Sequence, residues 1–375
     1  KQRKGRAGRV RRGRCYRLCP KSFFEGFGDH TTPEIHRVGL DGLCLQVLSM
    51  DLDVESFAPS LLDPPSPDTL QQALRELSDL GAVSQKKLTP LGRHLAHLPC
   101  APRLGKLLVL GASLGVRDEA LRVAAGLGGR SPWRSHPDDR PLAARFRQEL
   151  REQHGCGRSD HALDALALRA YAEASSQRGW ARKRALRDWC AQRGLSADPL
   201  EDALSLVKQL DGALADRGFG SYATQLSGPA LWRVARAVVA GALYPRLVKI
   251  EKPSQKYAET SEGNIAMDAQ ARELRFLRRT PTGALERAFL HPTSSCYAER
   301  SWPSPWAVYG ECVETHRVSI RDCGEAAPYA VLLFGGRVEP RPLQGSIVVD
   351  GWVSFAAHAR VGALVAALRE HFDAL

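Results

Sequence analysis

Arg6 and Arg9 stand three residues apart near the start of the sequence, with Gln2 before them and Gly5 and Gly8 beside them. A guanidinium is permanently charged and offers a planar fork of donors that matches phosphate oxygens. At this spacing both side chains can enter one cleft, and the glycines let backbone approach a ligand closely. Such a pair could stabilise negative charge developing on a transferring phosphoryl group. It could equally be a solvated basic tail that holds phosphate backbones without specificity. Arg11, Arg12, Arg14 and Arg17 extend the positive run and read more simply as a solvated face. Spacing alone leaves both readings open.

The remaining candidate chemistry is sparse. The chain has nine cysteines, an odd and scattered set with no C-x-x-C pair, which speaks against a zinc site or a disulfide framework. Cys15 and Cys19 could share a metal, but packing cysteines explain them better. His94 and His97 lie three apart without further ligands, so they read as packing or surface residues. The 375 residues predict two to four domains, and 43% apolar content suffices for real cores. A net charge of +12 predicts affinity for a polyanion, most often nucleic acid, although acidic proteins and membranes attract basic chains too. No apolar run reaches the length of a membrane span.

The elements that must position these residues fall into four expected units. Residues 1–38 read as the end of an α/β domain, with strand character over Gly13–Leu18 and a helix-prone stretch from Thr32 towards Met50. Residues 39–100 contain Ser66-Pro67-Asp68, a cap, an N1 proline and a first-turn acid. Leu70, Leu74, Leu77 and Leu80 then share one face up to Gly81. A small hairpin across Gln85-Lys86 follows, and helix plus hairpin is the outline of a winged helix. Residues 101–225 predict a helical bundle with segments 104–114, 119–127, 160–174, 181–192 and 200–214, a polar loop over 131–141 and a loose loop at 155–157. In 226–375 a helix over 232–242 precedes β-type runs at 247–250, 288–290, 306–309, 318–320, 330–334, 346–349 and 352–355, with a helix from 359 to the end. Short strands with irregular loops predict an OB-like barrel. Trp302, Trp306, Tyr309 and Trp352 could stack on bases, but a small barrel needs aromatic filling, so Trp306 and Trp352 are expected in the core.

Gln2-Arg3-Lys4-Gly5-Arg6-Ala7-Gly8-Arg9 resembles motif VI of superfamily 2 helicases of the DEAH/RHA type. The likeness continues through Thr32-Pro33-Glu34-Ile35, Leu62-Asp63-Pro64-Pro65, Leu88-Thr89-Pro90-Leu91-Gly92-Arg93, Ser159-Asp160-His161, His291-Pro292-Thr293-Ser294-Ser295, Ile320-Arg321-Asp322-Cys323 and Val349-Asp350-Gly351-Trp352. Motif VI by itself is moderately specific, whereas this ordered series is highly specific. The family's Walker A loop and D-E-x-H box do not occur. Asp118-Glu119-Ala120-Leu121 imitates the box but ends in Leu and follows motif VI, so it reads as the acidic first turn of a helix.

The resemblance implies a multi-domain α+β chain: the end of a RecA-like domain, a winged helix, a helical ratchet and a C-terminal OB fold. It implies the C-terminal part of an ATP-dependent 3′–5′ RNA helicase, so the sequence is expected to begin inside an enzyme. Arg6 and Arg9 would be the arginine fingers, Gln2 would place the attacking water or the γ-phosphate, and Gly5 would admit the phosphates. ATP and Mg²⁺ would be held mainly by an upstream RecA domain, and the chain alone is expected to be inactive. RNA, single-stranded in a channel, is the expected partner, with a G-patch-type protein as activator. Arg130, Ser131, Lys249, Ser294, Ser295 and Arg321 are the expected backbone contacts. Cytoplasm or nucleus is the implied location, with an organelle left open. A non-catalytic RNA-binding module and a protein-interaction scaffold derived from such a helicase are the alternatives.

Overall fold

The structure, a computed structural model, describes residues 4–28, 31–176, 182–220, 224–252, 256–260, 263–267, 273–280 and 282–374. Residues 4–40 hold a 3-10 turn at Lys4–Arg6, a short helix at Lys21–Glu25 and a second 3-10 turn at Glu34–His36. The strand expected over Gly13–Leu18 is not formed: the chain is irregular there, and Tyr16 and Leu18 are exposed. A strand is stabilised by the partner it pairs with, and no described residue pairs with this segment. Likewise the helix-prone stretch after Thr32 becomes helix only from Asp41 to Ser49.

The winged helix forms where local signals demand it. Ser66 Oγ accepts from Thr69 N at 3.2 Å and caps the Pro67–Asp79 helix, which buries Leu70, Ala73 and Leu77. Val83–Ser84 and Lys87–Leu88 pair across Gln85 and Lys86, both at positive φ, as a two-residue type I′ turn requires. Thr89 then caps the Pro90–Leu95 helix, accepting from Gly92 N at 3.0 Å.

The helical unit centres on the Pro102–Ser113, Arg117–Gly128 and Asp160–Ser175 helices. The first two approach closely at Gly111, where any Cβ would collide with the Ala120 methyl. Asp118 and Glu119 occupy the first turn of the Arg117–Gly128 helix and pair with Arg122 at 3.7 and 3.2 Å. The Arg140–His154 helix is not legible in the sequence, because its polar majority hides a narrow stripe of Ala143, Phe146 and Leu150. The 155–157 loop is packed, contrary to expectation: Cys156 is buried, and the Gly155 and Gly157 backbones press against Pro229 and Arg236. The Gly228–Leu243 helix packs into the same core from Leu231 onward and is fully buried from Ala237 to Leu243.

Five strands close a barrel: Leu247–Glu251, Arg275–Arg279, Leu285–Leu290, Trp306–Glu314 and Val318–Glu325, called here the first to fifth barrel strands. Around the barrel the order is first, second, third, fifth, fourth. All neighbours are antiparallel except the third and fifth, which pair parallel at Phe289↔Ser319 and Leu290↔Ile320. A hairpin, Lys256–Thr260 with Gly263–Met267, lies between the first two strands in sequence. Val248, Phe276, Trp302 and Ile320 fill a separate barrel core. Trp306 is buried and meets the half-buried Trp352 edge-on at 5.3 Å between ring centres, so the two rings pack against each other.

Two expectations for this unit change. The apolar run 330–334 is a helix, Pro328–Phe334, and not a strand. A short buried apolar run has no decisive period, and Pro328 at the first helical position with Gly241 opposite Phe334 selects helix. The runs at 346–349 and 353–356 do not join the barrel. They form a separate antiparallel sheet with Val338–Arg341, and the Ala359–Ala374 helix lies against it.

Candidate nucleic-acid interface

The third barrel strand alternates as a half-buried strand should. Ala288 and Leu290 point into the barrel, while Arg287 is exposed and Phe289 half-buried on the outer face. Parallel pairing of the third and fifth strands brings the 315–321 segment beside this face. The Arg287 and Arg317 guanidiniums both lie over the Phe289 ring, 4.9 and 5.6 Å from its centre. Cations over an aromatic face are held by the ring quadrupole, and both arginines stay exposed at the surface.

A groove of about 920 Å³ runs along this face. Its walls carry four arginines, Arg287, Arg300, Arg317 and Arg321, and two histidines, His291 and His316; none of the described lining residues is Asp or Glu. Among the described residues no carboxylate pairs with Arg287, Arg300 or Arg317, while Arg321 has Glu311 at 3.5 Å. Arg321 also donates towards His291 Nε2 at 3.3 Å. Burial, and then the Arg321 charge, push His291 below the ordinary histidine range, so at neutral pH it is an uncharged acceptor for that guanidinium. Tyr297, about half exposed, stands on the 291–300 wall. Cationic walls with accessible aromatic faces suit a single-stranded polyanion that carries flat bases.

Of the expected contacts, Arg321 lines this groove, whereas Ser294 and Ser295 belong to the same loop as its lining residues Tyr297 and Arg300 without lining it themselves. Both serine hydroxyls point inward, to the Asp160 carboxylate at 2.6 Å each. Lys249, on the first strand, pairs with Glu251 at 2.9 Å and lies outside the groove lining. Arg130 pairs with Asp202 at 2.9 Å in the helical unit, where the Ser131 hydroxyl accepts from Trp133 N at 3.4 Å. Gly5, Arg6 and Arg9 are exposed, and Arg9 Nε donates to Gly5 O at 3.3 Å. Gln2 lies outside the described residues. Sequence reasoning missed Arg287, Phe289, Tyr297, Arg300, His316 and Arg317. The alternation of Arg287 and Phe289 is the one available signal.

His94 packs against Phe219, His97 is exposed, and no group of three or more metal-ligating side chains gathers among the described residues. No helix of the described residues is long and apolar enough to cross a membrane.

Where the Asp160–Ser175 helix meets the fifth barrel strand lies a half-buried set of ionisable groups. Burial pushes the Asp164 carboxyl up to about 7, against the Trp133 indole N–H that it accepts at 2.5 Å. Burial likewise raises Asp322 to about 6. Arg147 lies over the Trp133 ring at 4.2 Å, and burial lowers its pKa. For Asp164 the folded chain keeps a proton that the unfolded chain releases above about 3.8. Its stabilising contribution is therefore full below that pH and is lost as pH rises through about 7. Asp164→Asn keeps an acceptor for the indole and removes this loss. We expect the variant to melt a few degrees above the wild type at pH 8 and level with it at pH 4; a gap that does not vary with pH would count against an acid held protonated.

Three family models match the chain: a helicase-associated HA2 winged helix over residues 73–100, a ratchet-like HA2 domain over 101–199 and an oligonucleotide/oligosaccharide-binding OB fold over 235–338. A Mycosarcoma maydis protein named as a DEAH-box ATP-dependent helicase is 32% identical over the whole chain, which covers 26% of that protein. The ATP-dependent DNA/RNA helicase DHX36 of Homo sapiens is 31% identical over the whole chain, which covers 36% of it. The DExH-box ATP-dependent RNA helicase DExH1 of Arabidopsis thaliana is also 31% identical, with 35% of its length covered. The chain thus spans about a quarter to a third of the length of these relatives.

Proposed function

This chain carries the C-terminal winged-helix, ratchet and OB region of a DEAH-box helicase, and from that premise we propose that it is the RNA-guiding part of an ATP-dependent 3′–5′ RNA helicase. The observation that carries the reading is the arginine-lined groove on the second and third barrel strands and the turn between the fourth and fifth. That face of an OB fold, with that loop, is the one that takes oligonucleotides. Arg300, Arg317 and Arg321 would meet successive phosphates, while bases stack on Tyr297 and on the guanidinium planes above Phe289.

Residues 1–38, 39–100, 101–225 and 226–375 are the proposed divisions, the first being the end of a RecA-like domain. Arg6 and Arg9 fit the phosphates of ATP, since both guanidiniums are exposed and permanently charged. They would face the γ-phosphate across the interface with an upstream nucleotide domain and balance the charge of the transition state. Gln2 would orient the attacking water. ATP and Mg²⁺ would be held mainly by the upstream RecA-like domain, and this chain would add the guanidinium charge of Arg6 and Arg9 and the Gln2 amide. The sequence contains neither a G-x-x-x-x-G-K-[ST] loop nor a D-E-x-H box.

The pure chain is therefore expected to bind single-stranded RNA without hydrolysing ATP. Its affinity should fall with added salt, at about 0.7 log units per log unit of salt for each phosphate neutralised. RNA binding absent at physiological salt would reject the reading in favour of a protein-interaction scaffold. Appreciable ATP turnover by the chain alone would reject the division of labour.

A further inference from the structure

We propose that Asp160, in the helical unit, is the positioning residue for the OB groove, fixing two of its walls through one buried carboxylate; this rests on the groove reading above. Asp160 Oδ1 accepts from Ser295 N at 2.8 Å and Ser295 Oγ at 2.6 Å. Its Oδ2 accepts from Ser294 Oγ at 2.6 Å and Cys323 N at 2.9 Å. Ser294 and Ser295 belong to the loop between the third and fourth barrel strands, and Cys323 to the fifth strand. The carboxylate thus bridges the two segments whose outward residues, Tyr297, Arg300 and Arg321, face the groove.

The loop cannot hold this shape by itself. Between His291 and Arg300 it has no helix or strand, only turns such as Tyr297 N to Ser294 O at 3.2 Å and Glu299 N to Cys296 O at 3.1 Å. The fifth strand holds its start, where His291 N donates to Ile320 O at 2.9 Å, and the remaining outside anchors come mainly from the helical unit. Arg151 and Arg158 hold Glu299 at 2.7 and 3.1 Å, beside Arg300. Arg147 reaches Thr293 O at 3.5 Å. Asp160 is the deepest of these anchors, only 8% exposed. A charge that far from water is tolerated only when hydrogen-bonded on all sides, so the four donors and the carboxylate define one another's positions. Asp160 itself is fixed by the start of its helix, where Ser159 Oγ accepts from Ala162 N at 3.2 Å. Any shift of that helix relative to the barrel is therefore transmitted to the groove walls. Asp160 touches no ligand and acts through Tyr297, Arg300 and Arg321.

The test uses the full chain and a dye-labelled oligouridylate. Asp160→Asn keeps the shape but sets an amide N–H₂ against N–H and O–H donors. Ser295→Ala removes one donor and serves if the first variant does not fold. Leu77→Ala, in the winged-helix core, is the control matched for reduced thermal stability. With each variant shown folded by circular dichroism, Asp160→Asn is expected to weaken binding about tenfold or more and to flatten the salt slope by about 0.7 for each phosphate the groove no longer neutralises. The Leu77→Ala control should match wild type in both, since a merely structural change leaves the groove of the folded fraction intact. Wild-type affinity and slope in folded Asp160→Asn, or in Ser295→Ala where that stands in, would overturn the positioning role. Parallel Arg287→Glu/Arg317→Glu chains separate the two failures. If they lose binding while the Asp160 variant does not, only the positioning role falls. If they bind like wild type, the groove reading falls and takes this proposal with it.

Discussion

Arg9→Ala, introduced into the intact gene product, is expected to cut RNA-stimulated ATP hydrolysis by about 10³- to 10⁵-fold, the range over which an arginine finger acts. The size follows from where the charge is needed. The transferring phosphoryl group spreads negative charge over its equatorial oxygens, and a guanidinium supplied from a facing domain meets that charge only when the interface closes. Arg9 is suited to this because its turn is built for approach: Gly8 adopts a positive φ, and neither Gly5 nor Gly8 has a neighbour where a Cβ would stand. Arg9→Lys should recover little, since an ammonium keeps the charge but loses the planar fork. Single-stranded RNA binding by the same variant should stay near wild type, because the loss is in the transition state and not in the groove. ATPase activity within a few-fold of wild type would remove Arg9 from catalysis.

Reversing the charge of the groove should have the next largest effect. Arg287→Glu/Arg317→Glu is expected to weaken single-stranded RNA binding by about a hundredfold at moderate salt and to flatten its salt dependence. Both guanidiniums lie over Phe289 on a face without carboxylates among the described lining residues, so two carboxylates there would repel the phosphates that the wild type attracts. Phe289→Ala tests the stacking contribution separately. Removing the ring frees both guanidiniums from their platform, and a loss of about 0.5–1 kcal/mol for each exposed cation–π contact is expected. Fluorescence anisotropy over a salt series distinguishes the two, since charge reversal changes the slope and loss of the ring mainly lowers affinity at every salt concentration. Unchanged binding in the double variant would move the nucleic-acid path off this face.

Elements whose signals are local are legible. Ser66-Pro67-Asp68 starts a helix because the cap, the fixed φ of proline and the acid act within one turn, and the structure begins the helix at Pro67. Gln85-Lys86 between two short β-type runs reads as a hairpin for the same reason. The ordered motifs likewise suffice for the helicase-associated units that the family models match. Legibility stops where a signal is weak or ambiguous. The second barrel strand, Arg275–Arg279, escapes notice because arginines flank its few apolar residues. The 330–334 run reads as strand because apolar content alone does not distinguish strand from buried helix.

What the sequence by itself determined is the set of parts: a basic chain, a closely spaced guanidinium pair, a winged helix, a helical unit and a barrel, each encoded by neighbours within a turn or a strand. What only the tertiary structure decided is which residues meet. Arg287 and Phe289 face Arg317 because the third and fifth strands, separated in sequence by the fourth, pair directly in parallel. Ser294 and Ser295 turn from expected RNA contacts inward to Asp160, more than a hundred residues earlier. Such meetings depend on strand register and on the docking of one unit against another, free energies that no local pattern of residues carries.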